Sequence, residues 1–242
     1  MSKKQVSNVQ ASIRSKLLQL SKQRGEDYNY LLMRYASDRL LYRLSQSRYQ
    51  KQFILKGATL FRVWNGEPHR ATKDLDLLSF GANDIFSLVE VFKDICRQEY
   101  ERDGISFQEE NVTGEKIKED QEYEGVRINL KANLGSINIP IQVDIGFGDA
   151  VTPLAEEAQL PTILDLPAPR LKIYPRETVV AEKFQAMVAL GISNSRLKDF
   201  YDVWFLCQNF EFKGNLLSQA IKATFERRKT LLPIIQPLAL TE

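Results

Sequence analysis

Two neighbouring segments in the middle of the chain alternate between apolar and polar residues, and this pattern limits the fold most strongly. The segments are residues 126–134 and 137–145, separated by Gly135-Ser136. Successive side chains of a strand point to opposite faces of a sheet, so each segment predicts a strand with one buried face. Together they predict a β-hairpin. Pro140 in the second strand indicates a sheet edge or a bulge at that point.

Helical periodicity surrounds the hairpin on both sides. The expected helices are residues 9–22, 28–46, 60–64, 84–100 (capped by Asn83), 176–190, 196–208 and 214–230. Short apolar segments at 53–55 and 75–78 predict two more strands, and the proline-rich residues 150–175 predict a connector. We therefore expect an α/β (α+β) fold with a mixed sheet flanked by helices and a C-terminal helical bundle. The N-terminal helices should pack on the outside, with domains at 1–165 and 166–242.

Composition excludes several classes of protein. The 242 residues include no run approaching the roughly 20 apolar residues of a membrane-spanning helix, and the basic start lacks the apolar stretch of a secretory signal. Cys96 and Cys207 stand far apart, which predicts reduced core thiols of a cytoplasmic protein. A single histidine, His69, excludes sites that need two imidazoles. Acid–base or metal chemistry must therefore rely on carboxylates or lysine, and His69 should be dispensable.

Charge is distributed unevenly along the chain. Residues 1–56 hold 12 Lys and Arg against 3 Asp and Glu, whereas residues 57–165 hold 10 against 21. Four arginines of the basic block lie mostly off the apolar stripe of the helix at 28–46, namely Arg34, Arg39, Arg43 and Arg48. They predict either a phosphate-binding surface for nucleic acid or a solvated helix face.

Three aspartates are the candidates for metal binding. Asp74 and Asp76 are two residues apart in a predicted strand, so both carboxylates point to one face while Leu75 points to the core. Asp144 lies on the polar side of the second hairpin strand. If the two strands are neighbours, three carboxylates converge, and such a set can hold a pair of Mg²⁺ ions at a phosphoryl centre. Solvated surface carboxylates are the alternative.

Two further motifs carry candidate phosphate contacts. Lys56-Gly57-Ala58-Thr59 forms a small-residue turn between a strand and a helix, where backbone N–H groups can meet phosphates. Lys183 lies on the apolar stripe of its helix, either aimed at a triphosphate or extended along the edge of that stripe. In the helix at 196–208, a buried stripe is expected from Leu197, Tyr201, Trp204 and Phe205.

These motifs resemble the AbiEii/AbiGii (MenT-like) toxins, bacterial nucleotidyltransferases of the DNA polymerase β-like superfamily. Residues 54–59 and 70–77 match its L-K-G-G-T and R-x-S-x-D-x-D patterns, with Ala58 for the second glycine and Thr72 for the serine. Residues 175–184 resemble the helix of its catalytic lysine, and residues 196–202 resemble its R-x-K-D-x-x-D motif. The similarity spans about residues 28–208.

The resemblance implies transfer of a nucleoside monophosphate from an NTP to RNA, often the 3′ end of tRNA, with release of pyrophosphate. It implies two Mg²⁺ ions, or Mn²⁺, at the three aspartates, with Asp144 also accepting the proton of the acceptor. The nucleotide contacts implied are Lys56, Gly57, Ala58, Thr59, Arg70, Lys183, Lys198, Asp199 and Asp202. The last three residues either line the nucleotide cleft or hold the lysine helix in place.

A toxin–antitoxin or phage-defence role, with a cognate antitoxin encoded nearby, is part of the same expectation. Two rival functions remain open from the sequence. One is a nucleotidyltransferase that modifies a protein or a small molecule. The other is a non-enzymatic binding module with a relict cleft, although the presence of all three aspartates and Lys183 disfavours it.

Overall fold

The computed structural model describes residues 3–81, 83–120, 123–191 and 195–241. The chain forms two compact units, Met1–Phe147 with Glu157–Lys172 and Gly148–Glu156 with Ile173–Glu242. Helices come first, then mixed strands and helices, then helices again, so the predicted α/β class is confirmed. The division into domains at residue 165 stays a prediction. Among the described helices, none has the length and apolar character needed to cross a membrane.

A mixed sheet organises the strands of the described residues. They are β1 (Phe53–Lys56), β2 (Asp74–Ser79), β3 (Ile105–Phe107), β4 (Thr113–Asp120), β5 (Tyr123–Leu134), β6 (Ile137–Phe147), β7 (Glu156–Gln159) and β8 (Arg170–Ile173). They are ordered β3–β5–β6–β2–β1–β8–β7, and β4 also pairs with β5. β2 runs parallel to β6, whereas β1 is antiparallel to β2 and β5 is antiparallel to β6.

The predicted hairpin is confirmed as β5 and β6, which pair from Leu134 opposite Ile137 outward. Apart from the half-buried Ile137, the alternating apolar residues of both strands from Val126 to Ile145 are buried, as the alternation predicts. Pro140 pairs with Lys131 of β5, while the pairing of β6 with β2 covers only 142–147. Pro140 therefore lies beyond the end of that pairing, where its missing N–H costs no bond between β6 and β2.

The helices follow the sequence periodicity closely. They are α1 (Lys3–Arg24), α2 (Tyr28–Gln46), α3 (Leu60–Asn65), α4 (Ile85–Cys96), α5 (Arg176–Leu190), α6 (Leu197–Asn209) and α7 (Gly214–Arg227). Asp84 rather than Asn83 caps α4, because its carboxylate accepts a 2.8 Å hydrogen bond from the Ser87 N–H. The expected connector at 150–175 contains β7 and β8, two four-residue strands that lie between its prolines.

Helix α2 packs inside the first unit rather than on its outside. It lies against β6, α4 and α1, and most of its side chains are buried, from Leu31 to Ser45. The prediction that the N-terminal helices are peripheral is therefore wrong for α2. A helix that is buried nearly all round has no polar face to leave in solvent, so its charged side chains need partners within the fold.

Those partners are acidic residues of the first unit. Arg39 and Arg43, 0% and 2% exposed, both bind the carboxylate of Asp103, at 3.0 and 2.7 Å. Arg34 is also buried and lies 3.4 Å from Glu67. These three arginines are neither a phosphate-binding surface nor a solvated face, so both interpretations of them are wrong. Of the four, only Arg48 is exposed, and it is 2.6 Å from Asp94.

In α6 three of the four residues predicted to be buried are exposed, and the fourth, Phe205, is half-buried. Leu197, Tyr201 and Trp204 are 75%, 42% and 56% exposed. The buried residues of this helix are Asp199, Asp202 and Leu206. The periodicity correctly predicts two faces, but an ion pair rather than the apolar stripe decides which face turns inward.

The two cysteines differ in their surroundings. Cys96 is buried, and burial raises the pKa of its thiol to about 12. Cys207 is exposed, so the expectation of a core thiol is wrong for that residue.

Candidate functional site

Asp74 and Asp76 project together from β2, as the alternation predicts. Both are half-buried, and Leu75 on the opposite face is 2% exposed. The parallel pairing of β2 with β6 sets Asp74 opposite Gln142 and Asp76 opposite Asp144. Neighbouring strands lie about 4.7–4.9 Å apart, and directly opposed side chains share a face of the sheet. The three predicted aspartates therefore lie on one face of two adjacent strands, which is the arrangement that the metal hypothesis requires.

The turn after β1 closes against this face. Gly57 has a φ of +74°, and a Cβ atom at this position would lie 1.9 Å from Oδ2 of Asp76. Only glycine fits both the backbone conformation and the approach of the carboxylate. The neighbouring Ala58 and Thr59 are buried, and Lys56 is opposite Asp76 in the pairing of β1 with β2. The turn and the first two aspartates thus form one packed group.

Asp144 is bound by an arginine that the sequence analysis missed. Arg127 of β5 donates from Nε to Oδ1 at 2.8 Å and from Nη2 to Oδ2 at 2.9 Å. Gln142 Nε2 lies 3.4 Å from both oxygens of the same carboxylate. The hydrogen bond to Asp144 raises the pKa of Arg127, and the charges of Asp74 and Glu115 add to this effect.

The segment before β2 contains Arg70, the remaining candidate site residue of the first unit. Arg70 is half-buried, and Ala58, Thr59, Thr72 and Asp74 line one small cavity. The strand-to-helix turn and the segment that leads into β2 are therefore in contact with the same space. This is where the family-like motifs at 54–59 and 70–77 meet.

The donor set suits a hard divalent cation in part. Carboxylate oxygens are the ligands that Mg²⁺ prefers, and Asp74 and Asp76 present two of them on one face. Within the described ranges, however, no group of three or more His, Cys, Asp or Glu side chains is arranged to hold a metal ion. Asp74 and Asp76 supply carboxylate oxygens of the kind that the implied ion needs, and Asp144 is paired with Arg127.

Lys183, in the second unit, is held between two carboxylates of α6. Its Nζ lies 2.7 Å from Oδ1 of Asp199 and 2.8 Å from Oδ2 of Asp202. Asp202 is fully buried, and Asp199 also pairs with Arg196 at 3.2 Å. These ion pairs join the lysine helix to α6, and the choice between lining the nucleotide cleft and holding that helix stays a prediction.

The site residues therefore fall into two groups, one in each unit. The first unit carries Lys56, Gly57, Ala58, Thr59, Arg70, Asp74, Asp76 and Asp144. The second carries Lys183, Lys198, Asp199 and Asp202. Lys198 is exposed, and Asp202, which could have paired with it along the helix, binds Lys183 instead. The assignment of these residues to nucleotide and metal binding stays a prediction.

The match to a family model agrees with the motifs. The family model described as the nucleotidyl transferase AbiEii toxin of type IV toxin–antitoxin systems matches residues 39–242. The solved structure of JHP933 from Helicobacter pylori is 13% identical, with a TM-score of 0.47 and coverage of 78% of this chain and 75% of that one. A candidate nucleotidyltransferase from H. pylori is 15% identical, with a TM-score of 0.46 and coverage of 79% and 74%. A comparison with curated proteins finds no match.

Proposed function

The chain belongs to the AbiEii family of nucleotidyltransferase toxins of type IV toxin–antitoxin systems, and from that premise we propose that it transfers a nucleoside monophosphate from an NTP to RNA. We propose the 3′ end of tRNA as the acceptor, a divalent cation as cofactor and the cytoplasm as the place of action. Family membership implies a cognate antitoxin. A role in phage defence is part of the proposal.

The observation that carries the proposal is the group formed by Gly57, Asp74 and Asp76. Two carboxylates share one face of β2, and a glycine turn packs against the second of them. A divalent cation held by this pair would supply positive charge to the triphosphate. The turn at Gly57–Thr59 then lies beside the same charge, because Gly57 packs against the carboxylate of Asp76.

The proposed reaction is an in-line displacement at phosphorus. The acceptor hydroxyl oxygen forms a bond to the α-phosphorus, and the bond between that phosphorus and the bridging oxygen breaks. Pyrophosphate leaves with the electron pair of the broken bond. The proton of the hydroxyl passes to a carboxylate of the polar face, and Asp144, beside Asp76 in register, is our candidate.

Lys183 has a narrower role in this proposal than its charge alone suggests. An ammonium group has three N–H donors, and Asp199 and Asp202 take two of them. One donor remains for a phosphate oxygen, while the positive charge is offset by the carboxylates. We therefore propose that Lys183 orients the triphosphate by a directed hydrogen bond more than by its net charge.

Substitution of Asp76 tests the chemistry. In the full chain, Asp76→Asn should lower Mg²⁺-dependent transfer of labelled NMP by about 100-fold or more, because it removes a charged ligand. Asp94→Asn replaces an aspartate of the same unit that pairs with Arg48 on the surface, and it should leave transfer unchanged. His69→Ala should also keep activity. Full transfer by Asp76→Asn would contradict the proposed site.

A second experiment identifies the acceptor. The protein is incubated with each labelled NTP and either total cellular RNA or a protein lysate, and tRNA 3′ ends are sequenced after induced expression. We expect label in RNA of tRNA size and added nucleotides at tRNA 3′ ends. Label that enters protein, with unchanged tRNA ends, would instead support the rival function of a protein-modifying nucleotidyltransferase.

A further inference from the structure

Helix α6 carries a patch of large apolar side chains on its exposed side. Leu197, Tyr201 and Trp204 are all exposed, and their spacing of four and three residues places them on one stripe of the helix. The rings of Tyr201 and Trp204 stack with 5.7 Å between their centroids and 25° between their planes. A contiguous exposed apolar patch is typical of an interaction site, and this one presents a stacked pair of aromatic rings.

The charges of α6 are divided between its two sides. Asp199 and Asp202, the two acidic residues of the helix, are buried and bind Lys183 of α5 at 2.7 and 2.8 Å. Lys198 is exposed. Within Leu197–Asn209, all of which the structure describes, the exposed side therefore carries aromatic rings and a cation but no carboxylate.

Aromatic rings beside a cation suit the chemistry of a single-stranded nucleic acid. Unpaired bases of any sequence stack on exposed Trp and Tyr rings, and lysine attracts the phosphates of the backbone. A second copy of this chain suits the patch less well. A two-fold interface pairs a surface with itself, so it would bring the same positive charge to both sides.

We propose that this patch, with Lys198 at its edge, binds unpaired bases of the RNA acceptor. The inference rests on the proposed function, which supplies RNA as the acceptor, and adds the surface that holds that RNA. Lys183 contacts α6 through Asp199 and Asp202, on the opposite side of the helix from Trp204. The bases bound by the patch therefore belong to a part of the RNA other than the reacting 3′ end.

Binding of a labelled single-stranded RNA of about 12 nucleotides to the full chain tests the proposal. NTP and divalent ions are left out and the 3′ end of the RNA is blocked, so the result does not depend on the proposed chemistry. Trp204→Ala should weaken binding by about tenfold, because one base loses its stacking partner. Trp204→Phe keeps an aromatic ring and should retain most of the affinity.

Phe86→Ala is the matched control for these variants. It removes an aromatic side chain that is 76% exposed on α4, in the other unit, and should leave the RNA affinity unchanged. Trp204 is itself 56% exposed, so its substitution should not prevent folding, which circular dichroism checks.

The fluorescence of Trp204 distinguishes base stacking from attraction between charges. The chain has two tryptophans, so Trp64→Phe leaves Trp204 as the sole reporter. Its emission should fall when the RNA is added. Inorganic polyphosphate, which has the negative charge of a backbone but no bases, should leave the emission unchanged.

Unchanged RNA affinity in Trp204→Ala, or equal quenching by polyphosphate, would overturn the inference. A wild-type dimer in sedimentation velocity that Trp204→Ala dissociates would also overturn it, because the patch would then join two copies of the chain. Failure of the proposed function gives a different result. If no NMP is transferred to RNA but RNA binding still depends on Trp204, the reaction is contradicted and the RNA-binding patch is supported.

Discussion

Gly57 occupies a position where any side chain would meet the carboxylate of Asp76. Two independent features disfavour a side chain there. The backbone has a φ of +74°, and a Cβ built at this position would lie 1.9 Å from Oδ2 of Asp76. Gly25, after α1, has a similar φ of +65° but nothing within 4 Å of a built Cβ. Comparison of substitutions at Gly57 and Gly25 therefore separates the free-energy cost of the backbone conformation from the cost of the contact with Asp76.

Gly57→Ala should accordingly be more damaging than Gly25→Ala. The left-handed conformation costs about 1–2 kcal/mol for alanine, so both variants should lose about that much free energy of unfolding. Gly57→Ala should lose more, and its Mn²⁺ affinity should fall, because Asp76 has to move. Urea denaturation and Mn²⁺ titration measure the two effects. Equal losses of stability and unchanged Mn²⁺ binding would show that the turn does not position Asp76.

Also at the scale of single residues, the pairing of Arg127 with Asp144 follows from the sequence once the hairpin register is known. Counting eight residues outward on each side of the Gly135-Ser136 turn sets Arg127 opposite Asp144, as the structure shows. The alternation predicted the hairpin and the faces of its residues correctly. The metal hypothesis compares Asp144 only with the strand of Asp74 and Asp76 and not with its hairpin partner, so it does not include this pair. By contrast, no local pattern connects Arg39 with Asp103, which lies far along the chain.

At the scale of elements, the ion pairs of Lys183 join α5 to α6 and fix which face of α6 is buried. Asp199 and Asp202 face Lys183, so Leu197, Tyr201 and Trp204 turn outward. An amphipathic pattern shows that a helix has two faces, but it does not show what the neighbouring helix offers. The prediction of a buried aromatic stripe failed for this reason.

Lys183→Ala should therefore cost stability as well as activity. It leaves the fully buried Asp202 without its ammonium partner, and removing one member of a buried pair costs about 3–5 kcal/mol. Lys198→Ala, at an exposed position of α6, should change the free energy of unfolding by less than about 0.5 kcal/mol.

Chemical denaturation followed by circular dichroism measures both variants of this pair. A Lys183→Ala protein as stable as wild type would show that the contact to Asp202 is weak in solution. Any loss of transfer in that variant could then be assigned to the missing contact with the nucleotide.

At the scale of the whole molecule, much of the charge asymmetry of the sequence is neutralised inside the first unit. Arginines of the basic block pair with acidic residues of the middle block, including Arg39 and Arg43 with Asp103 and Arg34 with Glu67. A net charge counted along the sequence therefore overstates the positive charge that a polyanion such as RNA would meet at the protein surface. Lys16, Lys22 and Lys51, which are exposed, are better candidates for RNA contacts than the arginines of α2.

Asp103→Ala should destabilise the protein by about 3–5 kcal/mol, because it leaves two buried guanidinium groups without their carboxylate. Asp94→Ala removes the partner of the exposed Arg48 and should cost at most about 1 kcal/mol. The midpoints of urea unfolding compare the two variants directly. Similar small shifts for both would mean that the arginines of α2 find other partners or reach solvent.

The short turn between β5 and β6 also has a consequence for how sequences of this kind can diverge. Gly135 and Ser136 set the register in which Arg127 faces Asp144. One inserted residue, unless a bulge absorbs it, would turn the buried face of one strand to solvent. Two inserted residues would preserve the faces but could move Arg127 off Asp144. The length of this turn should therefore be inherited with little change, and so should Gly135, whose φ of +66° favours glycine.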